Sequence, residues 1–88
     1  MTCRIDRVLI EGGLTVLRIF GRIARGDVDV LRIAIDQERG LLAIDLEEID
    51  LVDGDAVNLL AVSEANGIEL RNCPAYIREW VDQERARW

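Results

Sequence analysis

Apolar positions along this chain change period several times, and each change marks a boundary. From Cys3 to Ile10 the apolar residues Ile5, Val8 and Ile10 stand among charged neighbours, as in an edge strand with one wet side. Glu11-Gly12-Gly13 reads as a hairpin turn, because glycine supplies the positive φ of a tight connection. Leu14 to Phe20 is rich in β-branched and aliphatic residues and reads as a second strand ending at Gly21. Arg22 to Gly26 reads as a loop, with Asp27 placed to cap the helix that follows. Val28, Leu31 and Ile35 then recur at helical spacing, predicting a helix over about Val28 to Glu38, closed by Gly40. Val30 and Ile33 fall off that stripe, so this helix is more apolar than one buried side requires.

The unbroken run Leu41-Leu42-Ala43-Ile44, ending at Asp45-Leu46, fits a central strand of a covered sheet. A second helix is expected from near Asp53 to Asn66-Gly67, then a short strand over Ile68 to Arg71. A last helix opens at Asn72-Cys73-Pro74, with Pro74 at its first position, where the missing N–H costs little. Ile77, Trp80, Val81 and Trp88 are its expected apolar face. The resulting order is β-β-α-β-α-β-α. It predicts one α/β domain over residues 1–88 with a mixed four-stranded sheet and right-handed crossovers. The helices are expected mainly on one face.

Composition narrows the chemistry. Eighty-eight residues suffice for one core, and with half of them hydrophobic but only 5% aromatic, that core is aliphatic. Eleven arginines stand against seventeen Asp and Glu, with no His and no Lys, for a net charge of −6. Such a chain repels phosphate backbones, so nucleic acid is not an expected partner. Without His there is no Ser-His or Cys-His pair and no imidazole ligand. Cys3 and Cys73 have neither zinc nor redox spacing; both fall in or beside expected strands, so a disulfide between them stays open, and the cytoplasmic reading favours two free thiols. No stretch has the form of a signal peptide, and no apolar run approaches the ~20 residues that span a bilayer. Arg25-Gly26-Asp27 spells an adhesion tripeptide but reads as a turn with a cap.

The segment Leu46-Glu47-Glu48-Ile49-Asp50-Leu51-Val52-Asp53-Gly54-Asp55-Ala56-Val57-Asn58-Leu59-Leu60 carries the most information. A strand passes through a knot of carboxylates into an apolar helix. This resembles the signature of STAS domains, the fold of bacterial anti-sigma factor antagonists, where Asp-Ser-Ser-Gly opens the helix and the second Ser is phosphorylated by a partner kinase. Asp53 matches the Asp, Gly54 and Asp55 occupy the two Ser positions, and Ala56 replaces the Gly. The family's strand and helix order is the one read above, and Gly21 and Gly67-Ile68-Glu69-Leu70 fit its pattern. The resemblance implies a non-catalytic protein-interaction module in bacterial regulation whose partner is a kinase-type anti-sigma factor or other signalling protein. It also implies a site formed by Arg22, Arg25, Asp53, Gly54, Asp55, Ala56 and Asn58, with no cofactor and no membrane insertion. Asp55 would stand as a fixed charge where a phosphoserine stands, a partial mimic with about −1 charge rather than −1.5 to −2. A subunit of a transporter or lipid-trafficking assembly is the alternative within the family.

Three other readings attach to the same acids. Asp53 as N-cap and Asp55 in the first helical turn are explained by capping and the helix dipole alone. Asp50, Asp53 and Asp55 gather oxygen ligands around a glycine, but without the alternation and distal Glu of a calcium loop. Asp45, at a carboxyl strand end, could serve an acid-metal or phosphotransfer enzyme, yet no Lys and no glycine-rich phosphate cradle accompany it.

Overall fold

A computed structural model describes residues 3–87. The chain opens with the hairpin β1 (Cys3–Ile10) and β2 (Leu14–Ile23), paired antiparallel from Cys3↔Gly21 to Ile10↔Leu14. Gly12 and Gly13 both take positive φ, 89° and 83°, which is why two glycines occupy this turn. Helix α1 (Arg25–Asp36) leads to β3 (Leu41–Asp45), parallel to the first half of β2. After α2 (Gly54–Ala65), β5 (Glu69–Arg71) joins the far side of β3 in parallel, and α3 (Ala75–Ala86) closes the chain. The mixed sheet and the expected element order are therefore present. The sheet gains a fifth strand, β4 (Ile49–Val52), in the segment expected to be a turn.

β4 exists because β2 is longer than its first parallel neighbour. β3 pairs with β2 only from Leu14 to Arg18. Beyond it, β4 takes over beside Gly21, Arg22 and Ile23, after a register shift between Gly21 and Arg22. Gly21, expected to end the strand, instead holds φ 85° within it. This is the bulge that lets β2 continue. The Gly21 amide donates to Glu48 O (3.1 Å) and the Asp53 amide to Ile23 O (3.2 Å), fixing both ends of β4.

The three helices lie on one face. Ile19, Ile23, Ile44, Leu46, Ile49 and Val52 of the sheet side meet Val28 and Leu31 of α1, Val57 and Leu60 of α2, and Ile77 and Val81 of α3 in one buried cluster. Val30 and Ile33 are both 57% exposed, as their place off the α1 stripe predicts. Trp80 departs from expectation: it is 36% exposed, because α3 is seated by Ile77 and Val81, one turn apart, and Trp80 points off that ridge. Trp88 lies outside the described residues.

Helix ends also shift. Only Ala24 separates β2 from α1, where a five-residue loop was expected, and Ala24 rather than Asp27 is the cap. Asp27 acts one turn in, accepting the Ala24 amide at 3.0 Å, the returning half of a capping box. α1 ends at Asp36, before Gly40, and Pro74 caps α3 from just outside it. The α2 to α3 contact is pinned by Glu64, which receives both terminal nitrogens of Arg78 (2.7 and 2.6 Å) and one of Arg85 (2.8 Å). The Arg78 guanidinium holds the Glu64 carboxyl at about 2, well below the ordinary range.

Candidate functional site: the start of the second helix

The carboxyl ends of β2 and β4 bring two helix starts side by side. Asp53, in extended conformation (φ −97°, ψ 179°), caps α2 by accepting the Ala56 amide at 3.0 Å. This satisfies one of the donors left open by the first turn. Asp55 follows inside that turn, exposed, and meets Arg25 from the first residue of α1 at 3.3 Å. The Arg25 side chain is 88% and the Asp55 side chain 59% exposed. Such a pair is screened and contributes little to stability; it remains available to an incoming partner.

Beside the pair lies an open niche of about 260 Å³ lined by Arg22, Ile23, Ala24, Leu51, Val52 and Asp53. Leu51 is 53% exposed within it. Arg22, Gly54, Asp55 and Asn58 are all exposed, and Asn58 stands one turn along α2 from Gly54. Arg22 and Asp53 thus flank an apolar depression, with Arg25 and Asp55 next to them. Ala56 is different: it is fully buried, so its methyl seats α2 on the core and only its amide serves the turn. No atom lies within 4 Å of where a Cβ on Gly54 would stand, so that position has room for a side chain.

Leu51 and Tyr76 were not singled out from the sequence. Leu51 belongs to β4, which read as a turn; its signal was an apolar residue between Asp50 and Asp53 in a segment too charged to suggest a strand. Tyr76, from α3, donates its hydroxyl to Asp50 O at 2.6 Å, tying α3 to the outer end of β4.

The remaining acids are dispersed. Asp45 accepts the Glu47 amide (3.0 Å) and the Asn72 side-chain amide (3.2 Å) and lies 3.8 Å from Arg18. These contacts turn the chain out of β3 and hold the β5–α3 connection, with Asn72 at φ 52°. Among the described residues, no three Cys, Asp or Glu side chains gather as a metal-binding group. Burial raises the pKa of both Cys3 and Cys73, which disfavours the reactive thiolate. Cys3 opens β1 at one edge of the sheet and Cys73 follows β5 at the other; both are free. The Ser63 hydroxyl is buried and donates to Leu59 O at 2.8 Å, and Thr15 is buried in β2.

No protein-family model matches this sequence, and no curated protein matches it. Among solved structures, the chain is similar to an anti-sigma-factor antagonist, a STAS domain from Rhodobacter sphaeroides. The TM-score is 0.60 at 18% identity, over 80% of this chain and 84% of that one. The two share a fold. No helix among the described residues is long and apolar enough to cross a membrane.

Proposed function

We propose that this chain is a non-catalytic protein-interaction module in bacterial regulation, working in the manner of an anti-sigma factor antagonist, and that the start of α2 is its contact surface. One observation carries the reading: the exposed Arg25–Asp55 pair lies beside the Leu51 niche in a chain with the fold of such an antagonist. Interfaces of this class join a small apolar anchor to a polar rim. Here the exposed Leu51 is the anchor, with the buried Ile23 and Val52 as the floor of the niche, and Arg22, Arg25, Asp55 and Asn58 form the rim. Asp53 shapes the turn beneath them.

The contact is constitutive in this reading. Gly54 and Asp55 carry no hydroxyl, so a serine kinase has no acceptor where the family's switch sits. Ser63 and Thr15 are buried, and Thr2 lies outside the described residues. Asp55 supplies permanent charge at the positive end of the α2 dipole. The partner is a kinase-type anti-sigma factor or a related signalling protein of the same cytoplasm. Titration calorimetry against that factor tests the reading: Arg25→Glu and Leu51→Asp should each weaken binding at least tenfold, about 1.4 kcal/mol. Unchanged affinity in both variants would reject the surface.

A further inference from the structure

A second surface, away from the start of α2, has its own complementarity. β1 is an edge strand of eight residues, paired only with β2, and an edge of that length is a template for another strand. α1 runs alongside it in the same direction: Val30 shares a niche with Cys3, Arg4, Ile5 and Asp27 near one end, and Arg7 reaches Glu38 at 2.7 Å beyond the other. Val30, 57% accessible, therefore stands beside the first half of the open edge.

We propose that the β1 edge and Val30 of α1 form a homodimer surface, with two copies of β1 pairing antiparallel about a two-fold axis at Ile5. The charges on the strand select this register. An axis at Asp6 sets Asp6 against itself, and one at Arg7 sets Arg7 against itself; like charges directly opposite destabilise a strand pair. An axis at Val8 faces Asp6 with Ile10 and Arg7 with Leu9. An axis at Ile5 alone sets unlike charges together, Arg4 of each copy opposite the second copy's Asp6, on both sides of the axis. Arg4 and Asp6 already approach to 3.4 Å within one chain and are exposed enough, 63% and 46%, to exchange partners.

The helix layer fits the same axis independently. Ile5 lines the niche with Val30, so a two-fold at Ile5 turns the Val30 sides of the two α1 helices toward each other in antiparallel sense. This is an isologous contact, closed at two copies. It extends the sheet across both chains and leaves the two α2 starts open at opposite ends. The paired stretch, Cys3 to Arg7, is short, so association depends on concentration.

Sedimentation of the full chain from about 1 to 500 µM, with thermal melts of every variant at the dilute end where the parent is monomeric, tests this. The parent should pass from monomer to dimer. Arg4→Asp and Asp6→Arg should each weaken the dimer about tenfold or more, and the two combined should restore it. Val30→Asp, at an exposed position, should dissociate the dimer while keeping the parent's melting midpoint. A parent that stays monomeric throughout would overturn the proposal. So would a dimer indifferent to Val30→Asp, or one that the charge exchange fails to restore although both reversals abolish it and all variants melt like the parent.

Discussion

Arg25, the first residue of α1, and Asp55, the second of α2, meet at 3.3 Å across thirty residues of sequence. The acid sits where the dipole of its own helix favours negative charge, while Arg25 sits at a helix start that disfavours positive charge. A cation held there with most of its surface in water adds little to folding. Its chemistry points outward, toward the same solvent as Leu51 and the exposed Arg22.

Under the proposed function, Asp55 should contribute to recognition more than to folding. Asp55→Asn and Asp55→Ser should each change stability by less than about 1 kcal/mol, measured by urea unfolding at neutral pH. Both should shift affinity for a kinase-type anti-sigma factor, the proposed partner, in the same direction. A loss of several degrees in the melting midpoint with unchanged binding would reduce Asp55 to a helix-start acid.

The parent chain should take no label from an anti-sigma kinase and ATP. The double variant Gly54→Ser with Asp55→Ser rebuilds the two hydroxyls, and the open space around Gly54 accommodates the first of them. Mass spectrometry after kinase treatment should find phosphate in the double variant only. Phosphate on Ser63 or either Thr of the parent would show that the switch had moved.

The element order, the hairpin glycines, the Asp53 cap and the Asn66-Gly67 stop were all legible in the sequence, because each rests on a local rule of period, φ or capping. β4 was not. Its burial pattern has Ile49 and Val52 inside with Asp50 and Leu51 outside, which is not strand alternation, and what makes it a strand is the unpaired second half of β2. The Ala24 cap was hidden because alanine has no capping side chain and Asp27 returns the bond from inside the helix. Trp80 was misassigned because one turn of spacing from Ile77 left open which side of α3 the ring would take. The family resemblance pointed to Arg25 and Asp55 separately, as candidate site residues; their contact with each other was not legible, because it depends on β2 and β4 ending side by side.

Asp53→Ala removes the side-chain acceptor at the start of α2 and should destabilise the fold by about 1 kcal/mol, lowering the melting midpoint by roughly 4–8 °C for a domain of this size. Asp53→Asn or Asp53→Ser should retain most of that stability. A midpoint insensitive to all three would mean that the cap carries no weight.

Acid stability should reflect Glu64. Its carboxyl is held at about 2 by Arg78 and Arg85, against 4.5 for the free group. The contribution is complete above about pH 4.5 and is lost as pH falls through about 2, since protonating Glu64 breaks both contacts. Glu38, lowered by its hydrogen bond to Arg7, acts in the same direction. Glu64→Gln should cost about 1 kcal/mol at pH 7 and flatten the fall in stability between pH 5 and pH 2. A parallel pH profile displaced by a constant amount would contradict this origin.

The most direct test of the interaction surface is amide NMR of the labelled chain while the unlabelled anti-sigma factor is added. The account predicts that Arg22, Arg25 and the amides from Leu51 to Asn58 broaden or shift first, with Glu64, Arg78 and the α2–α3 contact unmoved. Perturbations confined to the open face of the sheet or to α3, with the amides of β4 and the α2 start unchanged, would contradict it.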